Sequence, residues 1–542
     1  MSTVTVREGL MRIFGCEGVD HIFGLPGSSE IQFMDGLEDH LEIKYILGLH
    51  ESTVASMAVG YARASGKIGV LNLHTFVGLG AAMAALLDAR RAGVPLLVTA
   101  GQMDTRTTAQ EAGMAADLVS LGNNFAKWSA EVSSADDLAL IMRRAFKVAL
   151  QPPTGPVFVS IPQNLLAESM EFTYEPNLPS SFSTKRPDRE SIERVAERLL
   201  GAQKPLVLVG ATVLPDAIPE VIKLVEITGA YAFITGMSDV GFPVNHPQFM
   251  GTFTPGGAGM KALLDSADAT VSLGAAFPFE KDNVIQIDSD PWQIGKNWPV
   301  AAGIEGDIGL SVAELNLAIE AKSSDETRLT ACTRAENIAA EKGAQEVILK
   351  DEDEKTMDNI PISAPRLAIE IANACQPGTI IVDESWSYSN IMQRYIRFPE
   401  KKSYFRGRGV SIGQGIPISI GINLAIPDRP VVALVGDGSA IWSCQSLWTA
   451  AHYGLPIKFV IIANSSYRLL KVNKIRQMGT GTGGRFLGMG LGSPDIDFCQ
   501  LAQAVGVRSH RVERPDELGK ALASTFAIDG PALLEVAVDD AL

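Results

Sequence analysis

Short, almost entirely apolar runs alternate with amphipathic segments along nearly the whole chain. In the first third the apolar runs are HIFGLPG, KYILGL, IGVLNLH, VPLLVTAG and GPVFVSIPQ. Helical segments such as SEIQFMDGLEDHL and ESTVASMAVGYARASG lie between them. Strands that are apolar on both faces and alternate with helices predict a parallel sheet that helices cover on both sides.

The same alternation returns in two further blocks, whose strands include PLVLVGA and NVIQIDSD in the second and TIIVDES and PVVALVGDG in the third. The aperiodic, Pro- and Ser-rich stretch 178–187 predicts a linker after the first block. The charged stretch 321–358 predicts a solvated helix and a second linker. The pattern therefore predicts an α/β protein made of three doubly wound parallel-sheet domains, over residues 1–180, 188–345 and 360–542.

Composition and charge exclude several classes of protein. Over 542 residues, 46% are hydrophobic and 20% are charged, which excludes a mostly disordered chain. The formal net charge of −16 disfavours nucleic acid and anionic lipid as partners. No apolar run of membrane-spanning or signal-peptide length is found, so we expect a soluble, cytoplasmic protein. A reducing compartment, without a disulfide framework or zinc site, is also favoured because five scattered cysteines form no CxxC pair: Cys16, Cys332, Cys375, Cys444 and Cys499.

Two strand ends in the third block carry the clearest candidate chemistry. The strand VVALVG runs into Asp437, Gly438 and Ser439, and the strand FVIIA runs into Asn464. The 25 residues between Gly438 and Asn464 accommodate one helix and one strand. The carboxylate and the amide are therefore expected at the carboxyl edge of one sheet, where ligands bind in open α/β folds.

These residues are typical of a metal-bridged diphosphate site. Asp437 offers a carboxylate oxygen, Asn464 an amide oxygen, and a carbonyl near Ser466 a third ligand for Mg²⁺, which is usually completed by phosphates. Gly436 and Gly438 let the backbone approach those phosphates closely. The GDGS segment alone would indicate only a strand-to-helix turn, so the interpretation depends on its spacing from Asn464.

The motif resembles the diphosphate-binding motif of thiamine diphosphate (ThDP) enzymes, and the three blocks resemble that family's pyrimidine-binding, central and diphosphate-binding domains. Within the family, the similarity is greatest to the benzoylformate decarboxylases, through the segments FGLPGSSE, NLHTFVGLGAAMAALLDA, PLLVTAGQ, GDGSA and PDIDFCQLAQAVGV. The resemblance implies ThDP and Mg²⁺ as cofactors. It also implies non-oxidative decarboxylation of a 2-oxo acid, with carboligation to 2-hydroxyketones as a further outcome.

The resemblance assigns three catalytic residues in the first block. Glu51, at the start of a helix, matches the glutamate that hydrogen-bonds N1′ of the aminopyrimidine and so promotes loss of the thiazolium C2 proton. Without the resemblance, a glutamate there would indicate only stabilisation of the helix N-terminus. His74 matches a histidine of proton transfer, and Ser28 matches a serine that binds the substrate carboxylate.

The third block supplies the remaining residues implied by the resemblance. Ile412 falls where an apolar side chain wedges the cofactor into a bent shape, and the Val410 carbonyl accepts a bond from the cofactor amino group. The expected cofactor-binding residues are Gly436, Asp437, Gly438, Ser439, Val410, Ile412, Ser387 and Tyr467. The expected metal ligands are Asp437, Asn464 and Ser466. The substrate pocket is expected to contain Trp386, Leu469, Leu470 and Phe277.

The chain departs from the benzoylformate decarboxylases in the central block. Those enzymes use a second histidine there, whereas the stretch Leu273–Val284 holds Phe277 and Phe279 and no histidine. His246 reads as a structural residue. Slow protonation of the intermediate left after loss of carbon dioxide would favour carboligation. Trp386 is bulkier than its counterpart and either narrows the pocket or packs in a turn.

Several alternatives remain open at this point. The basic run after Tyr467 indicates either a solvated helix face or an anion site for an acyl-CoA substrate; it comprises Arg468, Lys471, Lys474 and Arg476, to which Arg406 and Arg408 could add. An acetolactate-synthase-like carboligase, a 2-hydroxyacyl-CoA lyase and a non-catalytic homologue are the rival functions, although no FAD determinants are identified. The resemblance also implies a dimer or tetramer with sites at the subunit interface.

Overall fold

The architecture is that of a computed structural model, which describes residues 2–176, 184–235, 242–253, 258–275, 281–396, 402–407, 411–479 and 485–540. It contains three six-stranded sheets, in which every pairing is parallel, and one two-stranded antiparallel sheet. The predicted α/β class and its three parallel sheets are confirmed. Within the described part of the chain, every helix is too short or too polar to cross a bilayer.

The first sheet has the order β3-β2-β4-β5-β7-β6. Its strands are β2 (His21–Gly24), β3 (Lys44–Leu47), β4 (Gly69–Leu73), β5 (Leu96–Gln102), β6 (Ser129–Glu131) and β7 (Val157–Pro162). The helices around it are α1 (Val6–Cys16), α2 (Ile31–Glu38), α3 (Glu51–Ser65), α4 (Thr75–Arg91), α5 (Leu118–Gly122) and α6 (Leu138–Leu150). The antiparallel pair is β1 (Ser2–Thr5) and β8 (Ser169–Phe172).

The second sheet has the order β11-β10-β9-β12-β13-β14. Its strands are β9 (Pro205–Val209), β10 (Tyr231–Thr235), β11 (Phe249–Phe253), β12 (Ala269–Leu273), β13 (Val284–Asp288) and β14 (Ala302–Glu305). Its helices are α7 (Arg189–Gly201), α8 (Ile218–Thr228), α9 (Ala258–Ser266) and α10 (Ile308–Lys322). A 30-residue helix, α11 (Asp325–Glu354), follows, where the charged composition predicts a solvated helix.

The third sheet has the order β16-β15-β17-β18-β20-β19. Its strands are β15 (Ile380–Glu384), β16 (Tyr404–Arg406), β17 (Val431–Gly436), β18 (Lys458–Ala463), β19 (Arg508–Val512) and β20 (Ala532–Ala537). Its helices are α12 (Ala364–Ala374), α13 (Ser389–Tyr395), α14 (Gly415–Ala425), α15 (Asp437–Ser443), α16 (Ser446–His452), α17 (Arg468–Met478), α18 (Phe498–Ala504) and α19 (Pro515–Phe526).

The first and third sheets are joined by two buried helices, α3 and α14. A side chain on Gly60 would overlap the carbonyl of Ile418, and one on Gly421 would overlap the carbonyl of Met57. Glycine at both positions therefore allows the two helix backbones to touch. One apolar core runs through this contact from the first sheet to the third, so the positions of the two sheets are fixed relative to each other.

Candidate active site

In the first and third sheets the order of strand addition reverses between two neighbouring interior strands. The flanking strands are β2 and β4 in the first sheet, and β15 and β17 in the third. Ligands of open α/β sheets bind in the crevice outside the carboxyl ends of such a strand pair. Four predicted residues follow these four strands: Ser28, His74, Ser387 and Asp437.

Asp437 lies at the carboxyl end of β17 and is 5% exposed. Its Oδ1 accepts a hydrogen bond from the Gly438 N–H at 2.7 Å, and its Oδ2 accepts from the N–H groups of Asn464 at 3.0 Å and Ser465 at 2.6 Å. Burial raises the pKa of this carboxyl to about 6, although these backbone donors act in the opposite direction. A cation placed beside the carboxylate would relieve the cost of burying its charge.

Asn464 and Ser466 lie next to Asp437, as the sequence predicts. The Asn464 side chain donates to the Tyr388 hydroxyl at 3.0 Å, and its Oδ1 accepts from the Ser466 N–H at 3.0 Å. An amide oxygen has a second lone pair, so Asn464 retains an acceptor site for a metal ion. Carboxylate and amide oxygens at one sheet edge are a donor set that fits Mg²⁺.

Of the two glycines beside Asp437, Gly438 is required by a close contact and Gly436 is not. A Cβ on Gly438 would lie 2.6 Å from the ring of Tyr467, so the tyrosine packs directly against the turn. The nearest atom to a Cβ on Gly436 would be the Glu384 carbonyl oxygen at 3.9 Å. Ser439 is buried in the same turn. Helix α15 begins at Asp437, directly after β17 ends at Gly436.

The predicted pocket residues Trp386, Leu469 and Leu470, and the predicted cofactor-binding residue Ile412, follow strands of the third sheet. Trp386 lies in the turn after β15 with φ 46°, and Ile412 is half-buried between β16 and α14. Leu469 and Leu470 lie in the first turn of α17 and are 36% and 48% exposed. Three predicted positions, Val410, Phe277 and Arg408, as well as Phe279, lie outside the described residues.

The basic run of α17 makes contacts within its own domain. Lys471 forms a salt bridge with Asp540, and Lys474 donates to the Arg485 carbonyl at 2.9 Å. Arg468 lies over the ring of Tyr388, 5.2 Å from its centroid. These contacts favour the interpretation as a solvated helix face that is held to neighbouring segments.

His74 is held by a buried carboxylate that sequence reasoning missed. Its Nδ1 lies 2.9 Å from Glu30 Oε2 and 2.9 Å from Ser29 Oγ. Glu30 is 1% exposed and also accepts from the N–H groups of Gly27 at 2.9 Å and Gly101 at 3.0 Å. Both oxygens of Glu30 accept backbone hydrogen bonds, so this arrangement favours the tautomer in which Nδ1 of the histidine donates to the carboxylate.

The other ring nitrogen of His74, Nε2, has no strong hydrogen-bond partner among the described residues. Nε2 lies 3.2 Å from the sulfur of Met114, which is a weak acceptor and leaves this nitrogen available to a substrate. Ser28 is exposed at the start of the short turn Ser28–Glu30. The structure thus places Ser28 at the mouth of the crevice, while its neighbour Ser29 contacts His74.

Replacing Glu30 by glutamine should lower kcat about 100-fold. Both carboxylate oxygens accept from backbone N–H groups, so the amide of glutamine would face a donor at one of them and release His74. Steady-state kinetics and a melting curve test this, with Glu38→Gln on the exposed face of α2 as the matched control. Unchanged kcat in the Glu30 variant would show that His74 needs no such partner.

Glu51 is the first residue of α3 and is half-buried. A Cβ on Gly78 would lie 3.3 Å from Cγ and Oε1 of Glu51, so the carboxyl group packs on the first turns of α4. The Gly78 N–H donates to the His74 carbonyl at 2.7 Å. The structure therefore brings Glu51 and His74 together around the start of α4.

A second buried carboxylate, Glu384, was also not predicted from the sequence. It ends β15, is 4% exposed, and accepts from the N–H groups of Gln414 at 3.1 Å and Gly415 at 2.6 Å. Burial raises its pKa to about 7. The only local signal was an acidic pair, Asp383 and Glu384, at the end of an apolar strand, which has no specific meaning without the long-range contacts.

Comparison with known proteins identifies relatives across the whole chain. Family profiles described as thiamine pyrophosphate enzyme match an N-terminal TPP binding domain at residues 4–121, a central domain at 192–315 and a C-terminal TPP binding domain at 387–536. Thiamine pyrophosphate is another name for ThDP.

Individual relatives include both decarboxylases and synthases. A benzoylformate decarboxylase of Pseudomonas aeruginosa is 30% identical over 98% of this chain and 98% of that protein. An acetolactate synthase large subunit of Haemophilus influenzae is 26% identical over 100% of this chain and 95% of its own. Among solved structures, the ThDP-dependent 4-hydroxybenzoylformate decarboxylase of Rhodococcus jostii RHA1 has a TM-score of 0.82 and 27% identity, and covers 99% of both chains. The chain belongs to the thiamine pyrophosphate (ThDP) enzyme family.

Proposed function

We propose that this protein uses ThDP and Mg²⁺ to decarboxylate a 2-oxo acid of the benzoylformate type without oxidation. The observation that carries the proposal is the division of the site. A carboxylate and an amide suited to a metal lie in the third domain, and a histidine oriented by a buried carboxylate lies in the first. The similarity to a benzoylformate decarboxylase along nearly the full chain supports the same choice.

We call the crevice at the carboxyl ends of β15 and β17 the third crevice, after the third sheet. Its residues fit the diphosphate end of the cofactor. Asp437 and Asn464 would ligate Mg²⁺ together with the Ser466 carbonyl, and the turn of Gly436, Gly438 and Ser439 would lie against the phosphates. Tyr467 packs on Gly438 and keeps the turn closed. Ser387 lies one turn after β15, on the opposite side of the crevice.

We call the crevice at the carboxyl ends of β2 and β4 the first crevice, after the first sheet. Its residues fit the reacting end of the cofactor. When bound, ThDP supplies a nucleophilic carbon and accepts the electron pair released with carbon dioxide. Glu51 would hold a proton at the pyrimidine nitrogen N1′. Ser28 would donate a hydrogen bond to the substrate carboxylate. His74 would take up a proton at Nε2 and then deliver that proton to the reacting carbon. The overall reaction converts RCOCOO⁻ and one proton into RCHO and carbon dioxide.

The geometry of α4 supports a site shared between two chains. Glu51 packs beside Gly78, whereas Asp88, ten residues further along α4, contacts Ser411 and Gln414 of the third domain. Ten helical residues span about 15 Å, so within one chain Glu51 lies at the end of α4 away from the third crevice. We propose that Glu51 completes the crevice of a second copy, in a dimer or tetramer.

Each crevice would form one half of the shared site, and we call it a half-site. Exposed apolar side chains around both half-sites also support a site shared between two chains. Leu49, Phe76 and Val77 are 44%, 39% and 48% exposed beside Glu51 and His74, and Trp442 on α15 is 61% exposed. Large apolar side chains that cluster at a functional surface indicate a covered interface. A second copy of the chain is the partner that brings the two half-sites together.

Carboligation is the second candidate function. The stretch Leu273–Val284 contains no histidine, and acetolactate synthases are among the relatives. With His74 as the proton donor, an aldehyde or a second 2-oxo acid that enters the pocket would compete with protonation, and a 2-hydroxyketone would result.

A panel of 2-oxo acids, assayed with and without aldehyde acceptors, tests the proposal. We expect benzaldehyde from benzoylformate without an acceptor, and a mixed hydroxyketone when an acceptor is present. Acetolactate from pyruvate, together with yellow flavin absorbance, would favour the synthase instead. CoA competing with the substrate would favour a lyase, and failure of ThDP with Mg²⁺ to raise the melting temperature would favour a non-catalytic homologue.

A further inference from the structure

Residues 411–415 form a short segment beside the third crevice, and we call it the rim segment. It leads into α14 and carries Ile412. Its carboxyl end is attached to the strand edge, because the N–H groups of Gln414 and Gly415 donate to Glu384. A Cβ on Gly413, which has φ +84°, would lie 2.6 Å from Cβ of Trp442. The segment therefore lies against two fixed parts of the third domain.

A carboxylate of the first domain holds the other end of the rim segment. Asp88 Oδ2 accepts from the Ser411 N–H at 2.9 Å and from the Gln414 Nε2 at 2.7 Å. Asp88 is 4% exposed, and Gln414 is 8% exposed. Buried hydrogen bonds to a charged acceptor are short and directional, so Asp88 fixes both neighbours of the dipeptide Ile412–Gly413.

Further contacts from α3 hold the strand that precedes the rim segment. The Arg63 guanidinium donates to the Arg406 carbonyl at 2.7 Å and lies 5.4 Å from the centroid of the Phe405 ring. Lys402 donates to the Ala64 carbonyl at 2.6 Å. The first domain thus contacts the chain on both sides of residues 408–410.

We propose that Asp88 is a positioning residue for the cofactor, which holds the rim segment so that Ile412 presses on the bound coenzyme from one side. The proposal rests on the proposed function, because it gives Ile412 that contact. Asp88 and Glu51 lie at opposite ends of the same pair of packed helices. Each first domain therefore shapes the crevice of its own chain through Asp88 and supplies the catalytic acid to the crevice of its partner through Glu51.

The rate at which the C2 proton of the cofactor exchanges for deuterium tests this assignment. It is measured by quenching and NMR on full-length protein loaded with ThDP and Mg²⁺. We expect Asp88→Ala to slow exchange at least tenfold and to change the Kd for ThDP less than threefold, because Asp437 and Asn464 are untouched. Ile412→Ala should slow exchange similarly, and the double variant should be no slower than the slower single variant. Gln414→Met, which removes only one donor to Asp88, should slow exchange by a smaller factor and covers the case in which Asp88→Ala does not fold.

Asp20→Ala is the matched control. Asp20 belongs to the same domain and accepts from Lys67 at 2.6 Å and from the Tyr61 hydroxyl, but it has no described contact with the rim segment. Its replacement should lower the melting temperature and leave the exchange rate unchanged. Wild-type exchange in Asp88→Ala, or in Gln414→Met, would overturn the assignment. Exchange in the wild type no faster than for free ThDP would instead overturn the proposed function, and this proposal with it.

Discussion

Replacing Glu51 by glutamine is expected to lower kcat about 10³-fold, within the range that a positioned proton-transfer group supplies. Glutamine has nearly the same shape and can still pack on Gly78, but it cannot carry the exchangeable proton of a carboxyl group. Turnover of benzoylformate and the C2 exchange rate should fall together. The Kd for ThDP should change little, because the diphosphate contacts lie in another domain.

Glu42→Gln provides the control for this substitution. Glu42 is a glutamate of the same domain, close to His40 on the surface, and its replacement should leave both rates unchanged. A Glu51 variant with near-normal turnover would remove the proposed activation of the cofactor, whatever the fate of the other assignments.

Replacing Asp437 by alanine should weaken ThDP binding about 100-fold or more, because a metal ligand disappears together with the acceptor of three backbone N–H groups. At a hundredfold excess of ligand over its Kd, the wild type should gain about 2.7 kcal/mol of stability, and the variant should gain almost none. Thermal melts with and without ThDP and Mg²⁺ measure the difference.

The pH dependence of cofactor binding gives a further check on Asp437. With its pKa raised to about 6, this carboxyl is protonated in acid, and a metal ion has to displace the proton. Affinity for Mg²⁺ and ThDP should therefore rise between about pH 5 and pH 7 and then level off. An affinity that stays constant over this interval would show that the carboxyl is already ionised in the unliganded protein.

The two variants together test whether two chains share a site. When Glu51→Gln and Asp437→Ala chains associate at random, half of the dimers are mixed, and each mixed dimer keeps one site with both residues intact. We therefore expect about a quarter of wild-type activity from an equal mixture that is unfolded and refolded together. Activity no higher than that of the separate variants would place Glu51 and Asp437 in a site formed by one chain.

The fold could be predicted largely from the sequence because its strands are buried on both faces. Strands β4, β5 and β7 are buried along their whole length, and such strands appear as uninterrupted apolar runs. The order of the strands was not accessible in the same way. It depends on which strands pair across long stretches of chain, and a local pattern contains no record of that pairing.

The residues of the candidate site fall into two groups: those that a local sequence pattern predicts and those whose roles depend on long-range contacts. Asp437 and Asn464 could be found because each ends a strand, and adjacent strand ends meet at one edge. Glu30 and Asp88 could not, because their roles depend on partners that are 44 residues away at His74 and 326 residues away at Gln414. The hydrogen-bond donors around a buried carboxylate determine its role, and for Glu30 and Asp88 these donors include groups from distant segments of the chain.

The first and third sheets have the same topology. In both, the second strand in chain order lies at one edge, followed across the sheet by the first, third, fourth, sixth and fifth. Corresponding positions in the two sheets carry different chemical groups. The third strand is followed by His74 in the first sheet and by Asp437 in the third, and the helix after the second strand begins with Glu51 in one and with Gly415 in the other. The first and third domains thus share one topology, and under the proposed function the first would carry the groups that handle protons and the third those that bind the diphosphate.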